Sequence, residues 1–227
     1  MQKTKWILFD YGGCLDSDGL HSRTLYMNQF SKRNLIKPID DFDAFNDAYT
    51  LSDETLIKES LVINSNLIEM NECMCIKIAN LLGINDTTEI KTVAASITKF
   101  QESYLRRNQK TIEQLSKKFK LGIVSNFSGN LLKILNEYSL ASYFSFVLDS
   151  YHVGASKPDP KIFQMAFQLC QVPPEEIYFV GDNPDRDIAP ASALGMNTIL
   201  ISSLTKEVNS TYILSSVTEL LELTHNI

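Results

Sequence analysis

The chain opens with an apolar run, Trp6–Phe9, that stops at Asp10 and a glycine pair, Gly12 and Gly13. A run without alternation reads as a strand covered on both faces. The pattern then changes to helical for about a hundred residues. Leu25, Met27 and Phe30 recur near helical spacing within residues 22–34, and Asp53 is placed to cap a helix over 54–64. Residues 66–83 form a further helix that stops at Gly83, and residues 87–108 continue helically. From Lys120 onward the pattern alternates. Residues 120–126, 144–150, 176–182 and 196–202 read as strands, the last of them closing the sheet, with helices over 129–140, 160–172 and 185–195 between them.

Strands alternating with helices predict an α/β fold with a doubly wound parallel sheet and a Rossmann-like core. The long helical stretch after the first strand then reads as an inserted α-helical cap. This gives a core of residues 1–16 and 109–227 and a cap of residues 17–108. The joins fall near Asp16–Gly19 and Arg107–Thr111, where the cap is expected to open and close over the strand ends.

Composition narrows the function without naming it. Hydrophobic residues at 44% and charged residues at 21% are those of an ordinary globular protein. A net charge of −6 and the lack of a basic run speak against nucleic-acid or membrane-surface binding. The start carries too short an apolar stretch for a secretory signal, so a cytoplasmic location is expected. No segment reaches the ~20 apolar residues of a membrane span. Cys73 and Cys75 form an isolated C-x-C pair, short of zinc's ligand count, and read as helix side chains with one turned inward. The histidines His21, His152 and His225 do not cluster.

Four segments at the ends of predicted strands carry the candidate chemistry: ILFDYGG with Asp10, GIVSN with Ser125 and Asn126, GASKPDP with Lys157, and YFVGDNPDRD with Asp182, Asp185 and Asp187. Each also has a plain structural reading. Asp10 could cap its turn, Ser125 could close a strand end, Lys157 could be a solvated loop residue, and Asp182 and Asp187 could start a helix, with Asp185 as its cap. Taken together and in this order, the segments resemble the four motifs of the haloacid dehalogenase superfamily. The similarity covers residues 6–16 and 121 to about 201. The inserted helices resemble that superfamily's first type of cap.

The resemblance implies a nucleophile at Asp10 and phosphoryl chemistry through an aspartyl phosphate. It implies Mg²⁺ held by Asp10, Asp182 and the carbonyl of Gly12, with Asp187 orienting a bound water. Such chemistry is coherent physically, because covalent catalysis divides a hard step in two and Mg²⁺ takes hard oxygen ligands. Lys157 adds positive charge for the phosphoryl oxygens. Ser125 and the amide of Asn126 donate to the transferring group. Asp185 is expected to face solvent. The substrate expected is a small phosphorylated metabolite, and the protein is expected to act as a monomer or homodimer.

Gly12 is the departure. The family usually has an aspartate there, which protonates the leaving group, and glycine keeps only the carbonyl. The loss of general acid help is commonly worth ~10²–10⁴-fold. A substitute acid could come from Asp16, Asp18 or His21, or the substrate could carry a good leaving group. The rival readings are a catalytically weak phospholigand-binding protein and, further off, a 2-haloacid dehalogenase. Arg23, Tyr26, Arg106 and Arg107 could reach into the cleft from the cap, and each also reads as an ordinary helix-surface or interdomain residue.

Overall fold

The structure is a computed structural model and describes residues 5–202 and 209–224. His225 lies outside the described residues. Six parallel strands form one sheet in the order β3-β2-β1-β4-β5-β6. They are β1 (Trp6–Phe9), β2 (Lys120–Ser125), β3 (Phe146–Asp149), β4 (Ile177–Gly181), β5 (Asn197–Ile201) and β6 (Tyr212–Leu214). The sheet therefore has one strand beyond the expected last one. β6 is only three residues of an edge strand, YIL, and too short for periodicity to separate it from a loop.

Alternate side chains of β1 enter opposite cores. Ile7 and Phe9 join the apolar cluster on one face, while Trp6 and Leu8 join the cluster on the other. Both faces are covered, which is why the strand sequence is apolar without alternation. Phe9 lies level with Ile123 of β2 and Val180 of β4. The carboxyl ends of the three central strands consequently finish together. The chain leaves β1 toward β2 and β3 on one side and returns to β4 on the other. Open α/β sheets bind ligands in the crevice beyond the strand ends at such a switch point.

The cap consists of α1 (Ser22–Lys32), α2 (Phe42–Lys58), α3 (Leu67–Leu81) and most of α4 (Thr87–Ser116). Asp53 does not cap a helix. It lies within α2, whose buried side Phe45, Ala48, Ser52 and Leu56 follows helical spacing from an earlier start. The polar residues between those positions hid that start. α3 begins with a reciprocal Asn66–Glu69 capping box, and past its end comes Gly83, at φ +70°. Cys75 of this helix is buried and Cys73 half-buried.

The join expected near Arg107–Thr111 falls inside α4, which runs unbroken across it. Its first half buries Ile90, Val93, Ala94 and Ile97 in the cap, and its second half buries Leu105, Ile112 and Leu115. One apolar cluster holds all of these together with Phe9, Ile123 and Val180 of the sheet. The core is completed by α5 (Leu131–Glu137), α6 (Ser150–Val153), α7 (Pro160–Cys170), α8 (Ala189–Ala193) and α9 (Leu220–Leu223). Among the described residues, no helix is long and apolar enough to cross a membrane.

Candidate active site

Asp10 extends β1 by one residue, its amide donating to the carbonyl of Val180 at 2.8 Å. Its side-chain Oδ1 accepts three hydrogen bonds: from Tyr11 N at 2.7 Å, Ser125 Oγ at 2.8 Å and Lys157 Nζ at 2.7 Å. All three go to one oxygen. Oδ2 is left without a hydrogen bond among the described residues.

Lys157 bridges two carboxylates, with its Nζ also 2.6 Å from Asp187 Oδ1. It is 3% exposed and Asp187 0%, so this ion pair is desolvated. Burial works against the Lys157 cation, and the charges of Asp10 and Asp187 outweigh it, leaving its pKa above the usual lysine value. The loop is held by Asn126, whose side-chain Nδ2 donates to Lys157 O at 2.8 Å while Oδ1 accepts from Lys157 N at 2.7 Å.

Asp182 and Asp187 follow β4 through a turn capped by Asn183, whose Oδ1 accepts from the amides of Asp185 and Arg186 at 3.0 and 2.9 Å. The cap is thus Asn183 rather than Asp185, because an acceptor at the turn's entry reaches both amides. Asp185 is exposed, as expected. Asp187 Oδ2 accepts from Asn183 N at 3.0 Å. Two glycines make room for the carboxylates. A Cβ on Gly181 would stand 2.5 Å from Asp187 Oδ2, and one on Gly13 would stand 2.4 Å from Asp182 Oδ2.

One oxygen from each of Asp10, Asp182 and Asp187 lies within 4.8 Å of the others. Three carboxylates share a single lysine. Burial first, then the charges of Asp10 and Asp187, raise Asp182 to about 8. Burial also raises Asp187, to about 6, against the pull of Lys157. The set is all hard oxygen, carries excess negative charge and is partly dehydrated, a donor chemistry that fits Mg²⁺.

A cavity of about 320 Å³ lies over these strand ends. Its floor includes Asp10, Gly12, Ser125, Asn126, Lys157, Asp182 and Asp187. His21, Arg23, Tyr26, Tyr49, Asp53 and Gln101 of the cap segment line it from the other side. Two of the four expected cap residues are therefore elsewhere. Arg107 pairs with Asp18 at 2.5 Å, and Arg106 lies over the Tyr138 ring at 5.6 Å. Tyr26 is on the wall, but its hydroxyl is committed to Asn71 Oδ1 at 2.5 Å.

The three substitute acids separate in the same way. Asp18 is taken by Arg107 and by the amide of Val217, away from the cavity wall. Asp16 lines the cavity, yet both its oxygens already accept: Oδ1 from Gly13 N and Ser17 Oγ, Oδ2 from Gln101 Nε2 at 2.8 Å. Burial raises Asp16 to about 6, partly offset by those bonds. His21 caps α1, its Nδ1 accepting from Arg23 N at 3.2 Å. Sequence reasoning missed two groups. A buried polar chain runs from Tyr26 through Asn71 and Gln101 to Asp16. Arg186, inside the acidic motif and directly before Asp187, reaches His21 across the cavity mouth. Its position beside Asp187 was the available signal.

The family model of haloacid dehalogenase-like hydrolases matches residues 45–201. This chain belongs to that family. Haloacid dehalogenase-like hydrolase domain-containing protein 3 of Mus musculus is 33% identical to this hydrolase over 154 residues, 62% of the chain and 61% of the relative. The phosphoserine phosphatase of Thermus thermophilus is 45% identical over 62 residues, 27% of the chain and 25% of that enzyme. The hydrolase thus spans less than two thirds of each of these relatives. The crystal structure of a 2-haloacid dehalogenase from Pseudomonas syringae matches with a TM-score of 0.54 over 98% of this chain and 99% of that one. At 20% identity that likeness shows the fold alone.

Proposed function

We propose that this haloacid dehalogenase-like hydrolase is a Mg²⁺-dependent phosphatase acting on a small phosphorylated metabolite. The observation that carries the reading is the convergence of Asp10, Asp182 and Asp187 around one lysine at the edge of the sheet. Such a site repels a phosphate dianion until positive charge is added. Asp10, Asp182 and the Gly12 carbonyl would hold Mg²⁺, with Asp187 beside it. The ion would supply that charge and polarise the phosphoryl oxygens.

Asp10 Oδ2 attacks phosphorus, forming an acyl phosphate as the bond to the leaving oxygen breaks. Water then attacks the same phosphorus as its bond to Asp10 breaks, restoring the carboxylate. Inorganic phosphate leaves with one proton of that water, and the other replaces in solvent the proton taken up by the departed oxygen. Ser125 and Lys157 hold Asp10 in line, and Lys157 with the Asn126 amide stabilises the transferring oxygens. The partial relatives whose names include phosphatases support this chemistry. The net charge of −6 supports a small-molecule partner rather than nucleic acid or a membrane. The same proposal takes the protein as a cytoplasmic monomer or homodimer.

A second reading rests on Gly12: with no acid there, the site would bind phospholigands and turn them over weakly. A dehalogenase is disfavoured by the acidic cluster, which suits a cation better than a halocarboxylate. Phosphate release from 4-nitrophenyl phosphate decides among them. Hydrolysis should require Mg²⁺, stop on chelation and fall at least ~10³-fold in Asp10→Asn. A folded Asp10→Asn protein with undiminished turnover would falsify the covalent mechanism.

A further inference from the structure

The cavity wall facing the Gly12 turn carries two guanidiniums that make no ion pair among the described residues, with Asp53 close enough for its carboxyl to feel both. Arg23 Nη2 donates to the neutral Thr50 Oγ1 at 3.1 Å, its plane sits over the Tyr49 ring at 5.4 Å, and its Nε is buried without a partner. Arg186 Nη2 stands 3.0 Å from His21 Nε2. Neither arginine has an ion pair among the described residues. Asp53 is the acid that the cap segment places on this wall, while Asp10, Asp16, Asp182 and Asp187 line the cavity from the core.

The imidazole sharpens the point. His21 Nδ1 accepts from the Arg23 amide, so in the neutral ring Nε2 carries the proton. That N–H then faces the Arg186 guanidinium. The other tautomer moves the conflict to the Arg23 amide without removing it. Burial, then the charges of Arg186 and Arg23, lower the His21 pKa and keep the ring neutral. Two donors at 3.0 Å lack an acceptor between them, and an anionic oxygen in the cavity would accept from both.

The wall also has a definite place relative to the reaction. Ser22, between His21 and Arg23, has its Oγ 3.5 Å from where a side chain on Gly12 would begin. On the phosphatase reading, a side chain at position 12 would face the leaving group, so this wall stands on the leaving-group side.

We propose that Arg23, Arg186 and the His21 imidazole hold a second anionic group of the substrate, a carboxylate or a second phosphate on the leaving group. The inference rests on the phosphatase reading for which end of the molecule reacts, and adds the class of molecule. Guanidiniums recognise both anions through paired N–H donors, and charge-assisted bonds of this kind change affinity about tenfold or more.

Three probes of matched skeleton separate the possibilities: glycerol 3-phosphate, 3-phosphoglycerate and glycerol 1,3-bisphosphate. Their binding to the Asp10→Asn protein with Mg²⁺ is measured by calorimetry, and their hydrolysis is measured in the otherwise native enzyme. At least one of the two doubly anionic probes should bind about tenfold or more tighter than glycerol 3-phosphate, and which one identifies the group. The preference should collapse toward one in Arg23→Gln/Arg186→Gln and in Arg186→Gln alone, whose exposed side chain makes it the safer variant to fold. Equal affinity for all three probes would overturn the proposal, as would a preference that survives in the double variant. A loss shared equally by all three would also overturn it, since that places the arginines on the common phosphate or in the structure. If none is hydrolysed while the arginine-dependent preference persists, the phosphatase reading fails and the second anion site stands.

Discussion

Gly12 and Gly13 are neighbours with opposite reasons to be glycine. Gly12 has ordinary angles, φ −74° and ψ 124°, and an added Cβ would meet only Ser22 Oγ at 3.5 Å. Nothing in the backbone demands glycine there. Restoring an acid with Gly12→Asp should therefore fold and should raise hydrolysis of glycerol 3-phosphate by up to ~10²-fold, within the usual reach of general acid catalysis. Hydrolysis of 4-nitrophenyl phosphate should rise much less, because a phenolate departs without a proton. Equal gains on both, measured as kcat, would show that leaving-group protonation is not what Gly12 removed. The bonding of Asp16 argues for the same bias in the native enzyme, since an acid whose oxygens accept three donors is poorly placed to give up a proton.

At the scale of elements, the turn after β1 and the turn after β4 fit together through a missing side chain. Gly13 has φ +86°, and a side chain on it would begin where the Asp182 carboxylate stands. Gly13→Ala should cost about 1–3 kcal/mol in urea denaturation, from positive φ and the displaced carboxylate. It should also weaken Mg²⁺ activation. Gly12→Ala is the control, expected to leave stability nearly unchanged. A stable Gly13→Ala protein with native metal response would mean that the two turns are not coupled. The unbroken α4 carries a related lesson. Hinging at that join would have to bend α4, at the cost of backbone hydrogen bonds in the middle of a helix.

Across the whole molecule, the acidic cluster should make stability depend on pH and on metal together. Asp182 and Asp187 are raised to about 8 and about 6, so the folded state holds protons that the unfolded chain has released above its usual carboxylate range. Their contribution is present below about pH 4 and is lost as pH rises through about 6 and then about 8. Without divalent metal, unfolding free energy should fall by more than about 1 kcal/mol between pH 5 and 8.5. Mg²⁺ should recover more of it at pH 8.5 than at pH 5, and Asp182→Asn should show a flatter profile with little metal response. A metal-free profile with no difference between the native protein and Asp182→Asn would remove the cluster as its source.

The sequence by itself determined the alternation of the first five strands with helices and the presence of a carboxylate, hydroxyl, ammonium and two further carboxylates at strand ends, but not β6 or the start of α2. Parallel strands in register must bring such residues to one edge, so local pattern was enough. It also showed that Gly12 lacks an acid. Only the tertiary structure decided which cap residues meet that edge. Arg23 and Arg107 are alike in sequence, yet one lines the cavity and the other is spent on Asp18, because helix packing rather than spacing fixes where each points. The same holds for the polar chain from Tyr26 to Asp16 and for Arg186 opposite His21. Those pairs lie far apart along the chain, and no one-dimensional pattern encodes a contact made by the docking of two elements.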